Sequence, residues 1–382
     1  MKYIDEYRDS DLVKKLSEKI RQIDTQQISL MEVCGGHTMA IHRFGIPSLL
    51  PENIKLISGP GCPVCVSNIL FIDRAIAYSK LSDVIITTYG DLIRVPGSKS
   101  SLEKEKSQGA DIRIVYSSIE ALKIAKNNPN KKIVFLGIGF ETTAPSSAVV
   151  IQKASKENVL NFFLLSAHKM MPPVMETLLN DEVKIDGFIC PGHVSTITGS
   201  KIYSFIPEKY NIACVVAGFE PIDIMQSVLM LARQIVNKNY KVEIQYSRAV
   251  TYEGNSTAQQ ILFDVFEPRD DYWRGIGEIP DSGLKIKEKY RHFDAEHLFN
   301  IDIDFVGENP TCICGDILRG FKTPGDCKLF GKVCTPQNPV GACMVSSEGA
   351  CHAFYKYRSY EPSHNNKFDT HPHDYNEANN MS

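Results

Sequence analysis

Three groups of cysteines carry the reactive chemistry of this chain. Cys62-Pro63-Val64-Cys65 is a CxxC motif preceded by Gly59-Pro60-Gly61. Two thiols at this spacing can close into a disulfide or hold half of a metal site. At the start of a helix, free N–H groups and partial positive charge favour the thiolate, which is the reactive form. Pro63 restricts the loop, and Gly59 and Gly61 permit close backbone approach. Cys34 opens the second group, Cys34-Gly35-Gly36-His37. Thiolate with imidazole suits iron or zinc, although His37 could instead cap or orient its loop. His42 reads as a packing or surface side chain. The third group is Cys312, Cys314, Cys327, Cys334, Cys343 and Cys351, interleaved with glycines and prolines. Such a segment makes a poor ordinary core, and four thiolates around a metal or cluster would organise it. The long spacings favour an iron–sulfur cluster over the compact CxxC pairs of zinc ribbons, with structural zinc as the plainer alternative.

The elements that must position these groups follow from the hydrophobic pattern. Ile28–Val33 reads as a strand running into Cys34, and Ile54–Ser58 as a strand running into the CxxC loop, with a helix from about Ser67 to Lys80. Further strands are expected at Val84–Thr88, Ile112–Tyr116, Ile133–Ile138, Phe162–Ser166, Gly187–Cys190 and Ala213–Ala217, with helices between them. This alternation predicts α/β architecture with parallel sheets. Ligands bind at the carboxyl edge of such sheets, so Cys34, Cys62 and Cys65 should converge there. Three more loops follow strands: Gly139-Phe140-Glu141, Pro191-Gly192-His193 and Gly218-Phe219-Glu220. Glu141, His193 and Glu220 are therefore candidate partner or ligand residues, or simply helix caps. Cys190 and Cys214 lie in apolar strands and read as inert core thiols.

Two internal echoes suggest two related α/β domains. Val33-Cys34-Gly35-Gly36-His37 resembles Ile189-Cys190-Pro191-Gly192-His193, and Gly139-Phe140-Glu141 recurs as Gly218-Phe219-Glu220. The turn cluster Asn127-Asn128-Pro129-Asn130 sets a boundary. The expected units are 25–128, 129–244 and an irregular, cysteine-rich iron–sulfur domain at 245–382, with an amphipathic N-terminal helix at 1–24 packed on it. The polar tail 363–382 reads as disordered.

Composition narrows the function classes. The chain has 382 residues, a net charge of −3 and no long basic run, so nucleic acid and anionic membranes find no electrostatic footprint. The start, Met1-Lys2-Tyr3-Ile4-Asp5-Glu6, lacks the apolar segment of a signal peptide, and no stretch reaches the ~18 apolar residues of a membrane helix. A cytoplasmic location is expected. Eleven cysteines in a reducing compartment point to metal or redox chemistry rather than structural disulfides. No GxxxxGK[ST] phosphate loop occurs.

Several long motifs resemble those of the HypD family of NiFe-hydrogenase maturation proteins: Met31–Thr38, Gly59–Val66, Gly139–Pro145, Pro191–Ser195, Gly218–Pro221, Trp273–Gly277, Cys334-Thr335-Pro336 and Gly341–Cys351. The resemblance covers about residues 30–360. It implies a scaffold that works with the small partner HypC while iron receives cyanide and carbon monoxide, with cyanide arriving as a thiocyanate on HypE. The finished Fe(CN)2CO unit then passes to the hydrogenase large subunit. It also implies a 4Fe–4S cluster on Cys312, Cys327, Cys334 and Cys351, with Cys314 and Cys343 in reserve. Cys34 would be the iron ligand, and Cys62 and Cys65 a redox dithiol. Two rivals stand beside this reading: a cluster-dependent disulfide reductase, which needs no role for Cys34, and a zinc-stabilised interaction scaffold without redox chemistry.

Overall fold

A computed structural model describes residues 5–303 and 307–357; the polar tail 363–382 lies outside these. Two parallel sheets form the body. The first contains β1 (Ile28–Glu32), β2 (Ile54–Ser58), β7 (Gly187–Pro191), β8 (Ala213–Ala217) and β9 (Val242–Ile244), in the order β2-β1-β7-β8-β9. The second contains β3 (Val84–Thr88), β4 (Ile112–Ile114), β5 (Lys132–Gly139) and β6 (Phe162–His168), in the order β4-β3-β5-β6. β3, β5, β6, β7 and β8 are almost uniformly buried and read as continuous apolar runs, as strands covered on both faces must. The helices between them fulfil the crossover requirement of parallel pairing.

The sheets do not follow the boundary expected at residue 128. β1 and β2, from before it, pair in one sheet with β7 and β8, from after it; β3 and β4 pair with β5 and β6. Each sheet therefore draws on both expected units. Nor do the echoes map one sheet onto the other: the loops at Cys34 and His193 leave neighbouring strands β1 and β7. Strand patterns encode burial but not which strand becomes the neighbour.

The N-terminal helix Ser10–Arg21 also lies elsewhere than expected. Val13 and Ile20 are buried among Met225, Val228 and Ala232 of the helix Pro221–Val236, so it covers the first sheet rather than the cysteine-rich segment. That segment is not irregular from residue 245 onward. The helix Ser256–Val265 leads into an antiparallel hairpin, β10 (Phe266–Trp273) and β11 (Gly277–Ile286). Its acidic, Pro-containing first strand disguised it: only Phe266 and Trp273, at the ends of β10, are fully buried. Beyond the hairpin the chain has short helices at Cys314–Leu318 and Ala350–Tyr357, joined by turns. Arg94 ties this stretch to the body, donating to the carbonyl oxygens of Pro336 (3.0 Å) and Val345 (3.3 Å).

Candidate cysteine centre

Register brings the first two cysteine loops together. Glu32 of β1 lies opposite Ser58 of β2, so both strands end in step. Gly59 N–H donates to the Glu32 carbonyl (2.8 Å) and Gly35 N–H to the Gly61 carbonyl (3.0 Å). A Cβ on Gly61 would collide with the backbone of Cys34, so the glycine is what lets the loops touch. Cys62 and Cys65 are joined by a disulfide. Cys62 caps the turn Pro63–Val66 and both sulfurs are buried. That turn packs against β5 of the second sheet and against the turn Ala342–Met344, which carries Cys343. The disulfide thus sits where both sheets and the C-terminal segment meet.

Cys34 is half-buried at the start of the helix Gly35–Arg43. Its thiol is pushed up to about 12, first by burial and then by the neighbouring carboxylates Glu348 and Glu32. The helix start acts in the other direction, but a dipole effect of about 0.3–1 kcal/mol is outweighed by burial. Cys34 makes no side-chain cap, and Glu32 holds the loop on either side of it. It accepts from Cys34 N–H (3.1 Å) and from the Thr38 hydroxyl (2.5 Å), and burial pushes its carboxyl up to about 8. Glu348 presses on Gly35 from the C-terminal segment. Two carboxyl groups, both held above their ordinary range by burial, stand beside a protonated thiol; a bound metal would displace these protons, so the pocket gains from a cation.

His37 donates through Nε2 to the carbonyls of Ala217 (3.2 Å) and Gly218 (3.0 Å). That fixes the tautomer and leaves Nδ1 buried without a protein partner. Burial lowers the ring to about 4, so it is neutral at ordinary pH and orients the loop after β8. Phe219 of that loop lies between two imidazoles, 4.6 Å from His37 and 3.9 Å from His193, stacked on both. His193 is exposed, so the stack runs from the Cys34 loop to the surface. Glu220 is engaged elsewhere: it pairs with Arg8 and closes a capping box with Asp223. Glu141 accepts from Met171 N–H (2.9 Å), capping the helix Met171–Leu179 from another loop. Its second oxygen is buried without a protein partner, and burial holds the carboxyl up at about 7. His42 packs edge-on to Phe354, and Cys190 and Cys214 are fully buried.

Among the C-terminal thiols, Cys312 donates to Cys314 (3.2 Å), and Cys343 shares a hydrogen bond with Cys314. Cys334 and Cys351 are buried; Cys312 and Cys327 are half-buried. A Cβ at Gly341 would lie 2.5 Å from the Cys312 sulfur and 2.7 Å from that of Cys314. Cys312 and Cys314 border a cavity of about 860 Å³ that the buried Arg274 also lines. Among the described residues no three His, Cys, Asp or Glu side chains stand together so as to hold a metal ion. By their chemistry, six soft sulfurs on one segment suit an iron–sulfur cluster.

Sequence reasoning missed Glu32, Glu348, Phe219 and Arg274. A carboxylate ending an apolar strand, as Glu32 does in Ile28–Glu32, is the signal that was available.

A family profile described as HypD, hydrogenase formation hypA family, matches residues 11–358. A hydrogenase maturation factor HypD2 of Bradyrhizobium diazoefficiens is 50% identical over 368 residues, covering 94% of this chain and 97% of the relative. The HypD factors of Cupriavidus necator and Escherichia coli K12 are 47% and 45% identical, each over 94% of this chain and over 98% and 99% of their own lengths. No helix among the described residues is long and apolar enough to cross a membrane. With profile and relatives both spanning nearly the whole chain, this protein belongs to the HypD family of hydrogenase maturation factors.

Proposed function

We propose that this maturation factor assembles the Fe(CN)2CO unit with a HypC-like partner, taking cyanide from a thiocyanate on HypE. The observation that carries this is the junction of the Cys62–Cys65 disulfide with the Cys34 loop and the C-terminal cysteine segment. The electrons balance. The reduced dithiol gives two electrons and two protons and becomes a disulfide. The S–C bond of the thiocyanate breaks, its sulfur leaves as a thiol and the carbon as hydrogen cyanide or cyanide. Iron is the cargo. Cys34 is its ligand on this side, losing its proton as the metal enters beside Glu32 and Glu348. His37 keeps the loop rigid and offers Nδ1 as an acceptor for a protonated ligand.

Cys312, Cys327, Cys334 and Cys351 would hold the 4Fe–4S cluster, which when bound supplies electrons to reset the disulfide. Visible absorption with iron and sulfide assay of anaerobically purified protein tests this reading. A brown protein with about four irons supports it; a colourless protein holding zinc overturns it in favour of the interaction scaffold.

A further inference from the structure

We propose that Arg274 is the buried counter-charge of the iron–sulfur site and, against Glu308, sets its reduction potential; this rests on the cluster reading above. Arg274 is only 6% exposed. Its backbone N–H donates to the Val66 carbonyl (3.0 Å), directly after the disulfide turn. Among the described residues its side chain donates to the Pro96 carbonyl (3.2 Å), and its Nε is buried with no hydrogen-bond partner. Among the described residues, Glu308 is the carboxylate paired with it, 4.0 Å away and partly exposed.

Arg274 and Glu308 line the same cavity as Cys312 and Cys314. The next residue, Gly275, lies backbone to backbone with Gly315, which follows Cys314. A positive φ of 75° at Gly275 and the lack of Cβ atoms on both glycines allow this approach. Arg274 is thereby fixed between the disulfide turn and the thiols.

A buried cation whose described carboxylate partner is half-exposed and 4.0 Å away gains from another anion. A thiolate-ligated cluster is anionic and gains one more negative charge on reduction, so a nearby positive charge favours the reduced form and raises the potential. Glu308, which lines the same cavity, opposes this. Arginine keeps its charge at any working pH, so the influence is constant.

The test is redox titration of the cluster in the anaerobic full-length protein, followed by electron paramagnetic resonance. Arg274→Gln should lower the midpoint potential and Glu308→Gln should raise it, while Arg274→Lys stays near the wild type. A structural role alone would move stability without these opposite shifts. Unchanged potentials in Arg274→Gln and Glu308→Gln overturn the proposal. Where Arg274→Gln fails to load, Glu308→Gln and Arg274→Lys decide: an unmoved potential in the first, or a fall in the second, is equally fatal. A wild-type protein that holds no cluster refutes the underlying reading instead.

Discussion

At the scale of the residue, Cys34 and Glu32 carry the sharpest consequences. Cys34 is half-buried and packs little, so Cys34→Ala should change unfolding stability by about 1 kcal/mol or less. Thermal and denaturant unfolding check this; a loss of several kcal/mol would show the thiol to be structural. Glu32 has a measurable pH signature. Its carboxyl titrates near 8 in the fold and near 4.3 when unfolded. The folded state therefore holds the proton more tightly, and the stability from the neutral carboxyl is complete below the unfolded value. It is lost as pH rises through about 8. His37, lowered to about 4, acts oppositely, its contribution being lost as pH falls from the unfolded value through about 4. Glu32→Gln isolates the carboxylate: relative to the wild type it should gain melting temperature steadily between about pH 5 and pH 8. A parallel pH dependence of the two proteins would show Glu32 to be ionised in the fold. The cysteine loops were legible because glycine, proline and sulfur announce themselves locally. Glu32 left a local trace as a carboxyl group ending an apolar strand; Glu348 and Arg274 left none, because they acquire meaning only when distant segments bury them together.

At the scale of the element, the strand-to-loop exits do the positioning. Eight strands were legible because their apolar runs alternate with helices. β9 and the hairpin β10–β11 were not: β9 is short and half-buried, and the hairpin's first strand buries only its ends. Gly61 tests the contact between the β1 and β2 exits. Gly61→Ala forces a Cβ into the Cys34 backbone and should cost about 1–3 kcal/mol, read as a lower denaturant midpoint with an unchanged slope. A neutral substitution would mean that the loops stand apart in solution. The disulfide makes the second element-scale prediction. The Cys62–Cys65 pair should cycle between oxidised and reduced forms across graded thiol buffers, as followed by alkylation and mass measurement. A pair that never changes state under physiological buffers is a structural link.

At the scale of the molecule, three cysteine groups from remote parts of the chain close around one junction. The interleaved sheets make this possible, and that interleaving escaped sequence reasoning because pairing order is a property of topology rather than of local pattern. Alanine at Cys327 or Cys334 should remove iron and sulfide and loosen the C-terminal segment, seen as faster proteolysis there; full iron content in both variants would contradict that ligand set. The claim on which the whole account depends is that iron bearing diatomic ligands sits at Cys34. Infrared spectroscopy of the protein copurified anaerobically with the proposed HypC-like partner tests it most directly. The account predicts cyanide and carbon monoxide bands in the wild-type complex and their absence in the Cys34→Ala complex, with the C-terminal cluster retained in both. Bands that persist in Cys34→Ala would contradict it.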